Sequence, residues 1–388
     1  MDRAEIIAWA EAHYLDLQYG RARRFVAEGG KAVGYLPVYA PVEIIEAAGM
    51  LPVGIHGGGD QLDIIRGDAY YQSYICHLPR SIIELAVSGR LDFLSGAVFP
   101  STCDVIRNLS GMWKLLFADK YVRYLDLPQD FDPKMGGVFW AAEMRELLEG
   151  LAAMRGAPIT TEELRAAVGV GNKRRALVRA LYRRRREEPW NVPTDKLYML
   201  LRAGEVVPAA EFMEMATAYL ALCSTDGRRP RDNARVIVVG SFCEQPPLGL
   251  IRTIERAGCY IVDDDFLLGT RFLTADVEAD HPDPVEALAL ALVRHAVASP
   301  VLFEGDPDAK KKLIAERVRA AGAEGVIFSA PSFCDPALLD RPMLQAGADA
   351  HGISYISFKY AENTGQFQQF REQAGTFSDA IKLWGTSK

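Results

Sequence analysis

Three short apolar runs end on the same punctuation, and this constrains the fold of the chain more than any other feature. Glu324-Gly325-Val326-Ile327-Phe328-Ser329 runs into Ala330-Pro331-Ser332-Phe333-Cys334-Asp335-Pro336. Gly96-Ala97-Val98-Phe99 runs into Pro100-Ser101-Thr102-Cys103-Asp104, and Val236-Ile237-Val238-Val239 into Gly240-Ser241-Phe242-Cys243-Glu244. Unbroken β-branched and aromatic content over a few residues reads as a strand buried on both faces, which belongs in a parallel sheet. The carboxyl edge of an open α/β sheet is where ligands bind. Strands that each end in a cysteine beside an acid therefore point to chemistry at that edge.

The rest of the chain supplies the helices that parallel strands require. Residues 2–28 read as a leading helix with Ile6, Ile7, Trp9, Ala10, Tyr14 and Leu17 on one face. Strands are expected over 31–38 and 51–55, and the glycine loop Gly57-Gly58-Gly59-Asp60 can bring backbone close to a ligand. Between about 138 and 222 the pattern turns helical and charged, with segments at 143–154, 161–167, 173–187 and 209–222 and a helix start at Thr161. The strand–helix rhythm resumes after Arg228-Arg229-Pro230-Arg231-Asp232 and runs to a terminal helix starting near Gly365. The expected class is α/β, with two Rossmann-like open parallel-sheet domains and a helical connector or cap. The boundaries are residues 1–137, 138–229 and 230–388.

Composition narrows the function. A hydrophobic fraction of 49% with 24% charged residues is that of an ordinary globular protein, and a net charge of −7 argues against a nucleic-acid surface. No apolar run reaches the roughly 18 residues of a membrane helix, and the first residues lack a secretory pattern, so a cytoplasmic protein is expected. There, six cysteines are expected to be free, metal-bound or catalytic. The basic run from Lys173-Arg174-Arg175 to Arg183-Arg184-Arg185-Arg186 reads first as a solvated helix face, and second as a site for phosphates such as a coenzyme A tail, or for a partner's acidic surface. The Asp263-Asp264-Asp265 triplet reads as a strand-end turn that caps a helix, with a divalent-ion site as the alternative. Asp104 and Asp335 read as helix caps.

No C-x-x-C pair occurs, which removes zinc-ribbon and thioredoxin readings. Widely spaced thiols can still converge at strand ends and helix starts, where the helix dipole favours thiolate. Cys223 and Cys259 sit in apolar surroundings and read as small core residues.

Phe99-Pro100-Ser101-Thr102-Cys103-Asp104 with Trp113-Lys114, the Ala330–Pro336 segment, and Tyr39-Ala40-Pro41-Val42-Glu43-Ile44-Ile45-Glu46-Ala47-Ala48-Gly49-Met50 resemble the 2-hydroxyacyl-CoA dehydratase and benzoyl-CoA reductase family over essentially the whole chain. Cys243-Glu244-Gln245-Pro246-Pro247 and Phe358-Lys359-Tyr360-Ala361-Glu362-Asn363-Thr364-Gly365-Gln366 are more similar to the smaller cluster-bearing subunit of its ring-reducing branch. The resemblance implies ATP-dependent reduction of the aromatic ring of an acyl-CoA with ferredoxin as donor. It also implies a second cluster-bearing subunit and two ATP-hydrolysing activator subunits. Cys76, Cys103 and Cys334 correspond to the ligands of an iron–sulfur cluster, [4Fe–4S] in the first instance. Cys243 is a further ligand of a larger assembly or a neighbour that tunes it. His77 is a candidate proton donor or cluster hydrogen-bond donor, with a surface or capping histidine at the helix start as the first reading. Trp113 belongs with Tyr39, Tyr71, Tyr74, Phe99 and Phe333 as candidate walls of a dry substrate pocket. The alternatives are a subunit of a 2-hydroxyacyl-CoA dehydratase, and an electron-relay subunit that never meets substrate.

Overall fold

The computed structural model of the chain describes all residues except 224–228, 298–304, 307, 362–364, 366 and 385–388. The first third comprises α1 (Arg3–Leu15), α2 (Gly20–Ala27), β1 (Ala32–Tyr35), α3 (Val42–Ala47), β2 (Leu51–Gly54), α4 (His77–Val87), β3 (Gly96–Pro100), α5 (Asp104–Leu116) and β4 (Tyr121–Leu125). Four helices follow: α6 (Val138–Arg155), α7 (Thr161–Glu187), α8 (Thr194–Ala203) and α9 (Ala209–Leu222). The remainder comprises β5 (Ala234–Val239), α10 (Leu248–Arg256), β6 (Cys259–Asp264), α11 (Pro284–His295), α12 (Ala309–Ala321), β7 (Gly325–Pro331), α13 (Asp335–Ala350), β8 (Ser354–Tyr360) and α14 (Gln368–Trp384).

The fold is α/β, with two four-stranded sheets in the orders β2-β1-β3-β4 and β6-β5-β7-β8. Every strand pair within them is parallel. The two orders are the same when counted from the first strand of each half, so the halves echo each other in topology without a sequence repeat. β1, β2, β3 and β7 are buried along their whole length, which accounts for their unbroken apolar composition. In each sheet the order reverses at the centre, between β1 and β3 and between β5 and β7, and the crevice outside such a point is the usual ligand site of an open α/β sheet.

The carboxyl edges of the two sheets share one core. Phe242, Cys243, Ala330 and Cys334 from the second half pack in the same apolar cluster as Val98, Phe99 and Trp113 of the first. A second cluster unites α1 and the helices α7–α9 with one face of β5, β6 and α10.

Several elements differ from the sequence expectation, for physical reasons. The leading helix breaks into α1 and α2 at Leu17–Tyr19, where Tyr19 takes a left-handed conformation (φ 55°). The segments 161–167 and 173–187 form one helix, α7, whose buried stripe Leu164, Ala167, Val168, Gly171, Val178, Leu181, Tyr182 and Arg185 keeps helical spacing throughout. Its cap is Thr160 rather than Thr161, in a reciprocal capping box with Glu163.

The basic run on α7 is only partly a solvated face: Lys173 and Arg183 are exposed, while most of its other arginines are paired. Arg174 pairs with Glu46, Arg175 with Glu43, Arg179 with Asp276, and the 1%-exposed Arg185 with Asp264. The aspartate triplet does end β6 in a turn, with Asp264 Oδ1 accepting the Phe266 N–H at 2.8 Å, but it caps no helix, and among the described residues it forms no group that could hold a divalent ion. Asp263 and Asp264 end β6, and Arg185, Arg271 and Arg317 pair with the three carboxylates. Asp104 and Asp335 stand one residue inside their helices; the capping positions belong to the cysteines. The backbone of the glycine loop closes on the chain itself, with the Gly58 N–H donating to Ser81 Oγ at 2.7 Å. Among the described residues, no helix is long and apolar enough to cross a membrane.

Candidate active site

Three of the singled-out thiols occupy equivalent local positions. Cys76, Cys103 and Cys334 are the N-cap residues of α4, α5 and α13. A residue there has non-helical backbone and faces the unpaired N–H groups and positive dipole end of the first turn, which suits an anionic side chain. Cys103 follows β3 and Cys334 follows β7, so each leaves the carboxyl edge beside its sheet's reversal point. Phe333, immediately before Cys334, sits at φ 62°, a strained conformation for an aromatic residue. Cys243 is buried in the loop after β5.

The four thiols share one electrostatic neighbourhood. Burial pushes the Cys76 thiol far up, and charge on Glu244, Cys334, Cys103 and Cys243 pushes it further. Cys243 is raised by burial and then by Cys103 and Cys334. Cys334 is pushed up to about 12, chiefly by burial, with the Ala337 N–H at the start of α13 pulling the other way. Burial likewise raises Cys103, against the N–H groups of Ile106 and Val105. The protons of Cys76, Cys243 and Cys334 are thus held more tightly because other thiols are near. Cys223 and Cys259 are fully buried away from this group.

Two residues that sequence reading did not single out join the edges. Glu244, 1% exposed, accepts the N–H groups of His77 (2.8 Å) and Leu78 (3.3 Å), so a carboxylate from the second half caps the helix that starts at Cys76. The Tyr360 hydroxyl holds the Glu244 carbonyl at 2.9 Å. Thr102 Oγ1 accepts from the Cys243 thiol at 3.4 Å. An acid directly after a cysteine was the available signal for Glu244. Nothing in the sequence marks Thr102 apart from its place beside Cys103.

His77 is buried at the first turn of α4. Tyr71 borders Cys76 and Cys103, whose charges add to burial in raising its hydroxyl, and that oxygen has no hydrogen-bond partner among the described residues. Trp113, 1% exposed, lies in the core between Phe99 (5.6 Å between ring centres) and Phe117 (5.1 Å). Tyr74 and Phe333 are exposed, whereas Tyr39 is buried with its ring against Phe272. His56 is buried and paired with Glu205; burial, then Arg202, lowers its pKa against the pull of Glu205. Among the described residues, no three His, Cys, Asp or Glu side chains form a group that could hold a single metal ion.

Two doubly wound parallel sheets with cysteines at helix starts beside their carboxyl edges define a class: an α/β protein of two Rossmann-like halves. Within it, residues 37–381 match the family described as 2-hydroxyglutaryl-CoA dehydratase, D-component, and the chain belongs to that family. The chain is 53% identical to a benzoyl-CoA reductase subunit of Thauera aromatica over 99% of its own length and 100% of that protein's. It is 28% identical to the beta subunit of (R)-2-hydroxyglutaryl-CoA dehydratase of Acidaminococcus fermentans, covering 92% of this chain and 94% of the relative. The (R)-phenyllactyl-CoA dehydratase beta subunit of Clostridium sporogenes is 25% identical over 91% and 92% of the two chains. These relatives are named as subunits of enzymes that act on acyl-CoA esters. Part of the segment that set the ring-reducing branch apart, residues 362–364 and 366, lies outside the described residues.

Proposed function

We propose that the chain is the iron–sulfur subunit of an ATP-dependent, ferredoxin-linked benzoyl-CoA reductase, which reduces the aromatic ring to cyclohexa-1,5-diene-1-carbonyl-CoA. One observation carries the reading: four buried or half-buried cysteines, three of them at helix N-caps, near the carboxyl edges of the two sheets, in a chain 53% identical over 99% of its length to a benzoyl-CoA reductase subunit. Cys76, Cys103 and Cys334 would hold a [4Fe–4S] cluster, with Cys243 a fourth ligand or a donor that tunes it. The residues suit such a group. A cationic centre displaces the protons that burial and mutual repulsion keep on the thiols, and helix N-termini stabilise the resulting thiolates. A multi-iron cluster spreads its ligands over several metal atoms, so the thiols need not converge on one point.

When bound, the cluster would supply single electrons beside the ring, with the thioester spreading the added charge. The chain's own residues do the rest. Glu244 and Thr102 fix Cys76 and Cys243 across the two lobes. Trp113 and Phe99 form an apolar wall behind Cys103 that keeps water out. His77 is the proposed proton donor, one residue from a proposed ligand. ATP hydrolysis and ferredoxin belong to the proposed partners: a second cluster-bearing subunit and two activator subunits, in the cytoplasm.

The test is product analysis with the anaerobically purified complex given benzoyl-CoA, MgATP and reduced ferredoxin. An ATP-requiring dienoyl-CoA product is expected. Dehydration of a 2-hydroxyacyl-CoA with no ring reduction would move the chain to the dehydratase function that two of these relatives carry by name.

A further inference from the structure

Tyr71 carries a buried donor that the proposed function does not use. It lies between the short turn Gly67–Ala69 and Cys76, in the loop that leads into α4. That loop is fastened to the helix it leads into. Glu84 on α4 accepts the N–H groups of Ile65 at 2.9 Å, Arg66 at 2.5 Å and Gly67 at 2.8 Å. A Cβ at Gly67 would stand 2.2 Å from the Arg80 carbonyl oxygen, so loop and helix meet there backbone to backbone. Arg80 also pairs with Asp68 at 2.9 Å. The backbone just before Tyr71 is thus set relative to the helix that Cys76 caps. The tyrosine packs, as Cys103 does, against the apolar cluster that contains Cys243 and Cys334.

The Tyr71 hydroxyl oxygen is shut off from solvent and has no hydrogen-bond partner among the described residues. A buried tyrosine hydroxyl ordinarily finds one. Burial, then charge on Cys76 and on Cys103, holds the proton on this phenol. A protonated phenol beside anionic sulfur acts toward it as a donor. Thiols accept hydrogen bonds weakly, whereas a charged acceptor makes a strong one. An acceptor of that kind arises at Cys76 and Cys103 when they give up their protons to bind iron.

We infer that the Tyr71 hydroxyl donates a hydrogen bond to a sulfur of the iron–sulfur group held by Cys76 and Cys103, and so sets how readily that group accepts an electron. Reduction adds negative charge to the group, so a donor at its sulfur steadies the reduced form more and raises the potential. The inference rests on the reading of these cysteines as cluster ligands and adds the residue that tunes what they hold.

The experiment is a redox titration of the anaerobically purified complex, without substrate, followed by electron paramagnetic resonance. The signal that disappears in the Cys334→Ser complex marks this chain's cluster. Tyr71→Phe removes the hydroxyl and keeps the ring, and its iron content should stay at the wild-type level. At a fixed potential its ratio of reduced to oxidised cluster should fall about tenfold, a shift of about 59 mV to lower potential for one electron. Replacing Tyr71 by 3-fluorotyrosine, a stronger donor of similar shape, should move the potential the other way. Packing alone does not produce that reversal, and this variant keeps the test valid if Tyr71→Phe folds poorly. A potential that neither replacement moves would overturn the inference, as would loss of iron in Tyr71→Phe. A Cys334-dependent signal that is indifferent to Tyr71 keeps the cluster reading and removes only this role. A wild-type complex with no such signal removes both.

Discussion

Replacing Glu244 tests how the two lobes are held at the thiols. Its carboxylate accepts two N–H groups at the start of α4, from His77 and Leu78, in a buried setting. Glu244→Ala leaves both donors without their acceptor, at about 1–3 kcal/mol each, and removes a negative charge from a helix N-terminus, worth up to about 2 kcal/mol when partly buried. Some water will enter the space, so we expect about 3 kcal/mol, or about two decades in the opening equilibrium of that first turn. Glu244→Gln keeps an acceptor oxygen and loses the charge, and should cost about 1 kcal/mol. Amide hydrogen exchange at His77 and Leu78 reads the effect directly, because opening of this turn is local. Protection should fall by about a hundredfold in Glu244→Ala and less than tenfold in Glu244→Gln. Wild-type protection in the alanine variant would refute the claim that this carboxylate fixes Cys76 against the second lobe.

Cys334→Ser should deplete bound iron and abolish activity, whereas Cys223→Ser should leave both nearly unchanged; normal iron in the first variant would sink its assignment as a ligand. Burial by itself would push the Asp263 carboxyl up, but Arg317, Arg271 and Arg185 outweigh it and hold the group at about 2. A folded-state value below the unfolded one gives stability that is present above pH 4 and is lost as pH falls toward 2, about 2 kcal/mol in all. Asp263→Asn should therefore be less stable than wild type by about that amount at pH 7, with the gap closing between pH 4 and pH 2 in acid-unfolding curves; a constant gap would contradict the ion-pair account. A Cβ on Gly269 would stand 1.0 Å from the Pro37 carbonyl oxygen, backbone against backbone between the lobes. Gly269→Ala should cost about 3 kcal/mol in urea unfolding, and a loss under about 0.5 kcal/mol would show that this contact is loose.

The sheets were legible because strands buried on both faces must be apolar throughout. Val236–Val239 and Val326–Phe328 could hardly be anything else, and α9 coincides with its expected span of 209–222. Where the reading failed, the deciding partner lay far away in the chain. The helix was expected in two segments, 161–167 and 173–187, and the glycines between them, Gly169 and Gly171, each cost a helix about 1 kcal/mol. In the structure, a Cβ at Gly171 would stand 2.4 Å from Glu43 Oε1, so that glycine admits α3 to the flank of an unbroken α7. The arginines of α7 looked solvated because their carboxylates, Glu43, Glu46, Asp264 and Asp276, come from three other parts of the chain. The cysteines stood out by their repeated context. Glu244 and Thr102 did not, because their roles exist only once the two strand edges meet.

The topology also explains why the thiols form an unequal set. Both sheets run in the same order, so each position in one half has a counterpart in the other. Cys103 and Cys334 are such a pair, each the cap of the helix that follows the third strand of its half. Cys243 lies after the first strand of its half, where the other half carries Tyr39 and Pro41 instead. Cys76 caps the helix between the second and third strands, and its counterpart, the helix α12, starts after Asp308 with no cysteine. A doubled fold would thus supply two matched thiols by symmetry, while Cys76 and Cys243 depart from it. Those two are also the ones that need contacts from the opposite lobe, Glu244 at the helix of Cys76 and Thr102 at Cys243. Symmetry sets the matched pair, and contacts across the lobes set the rest.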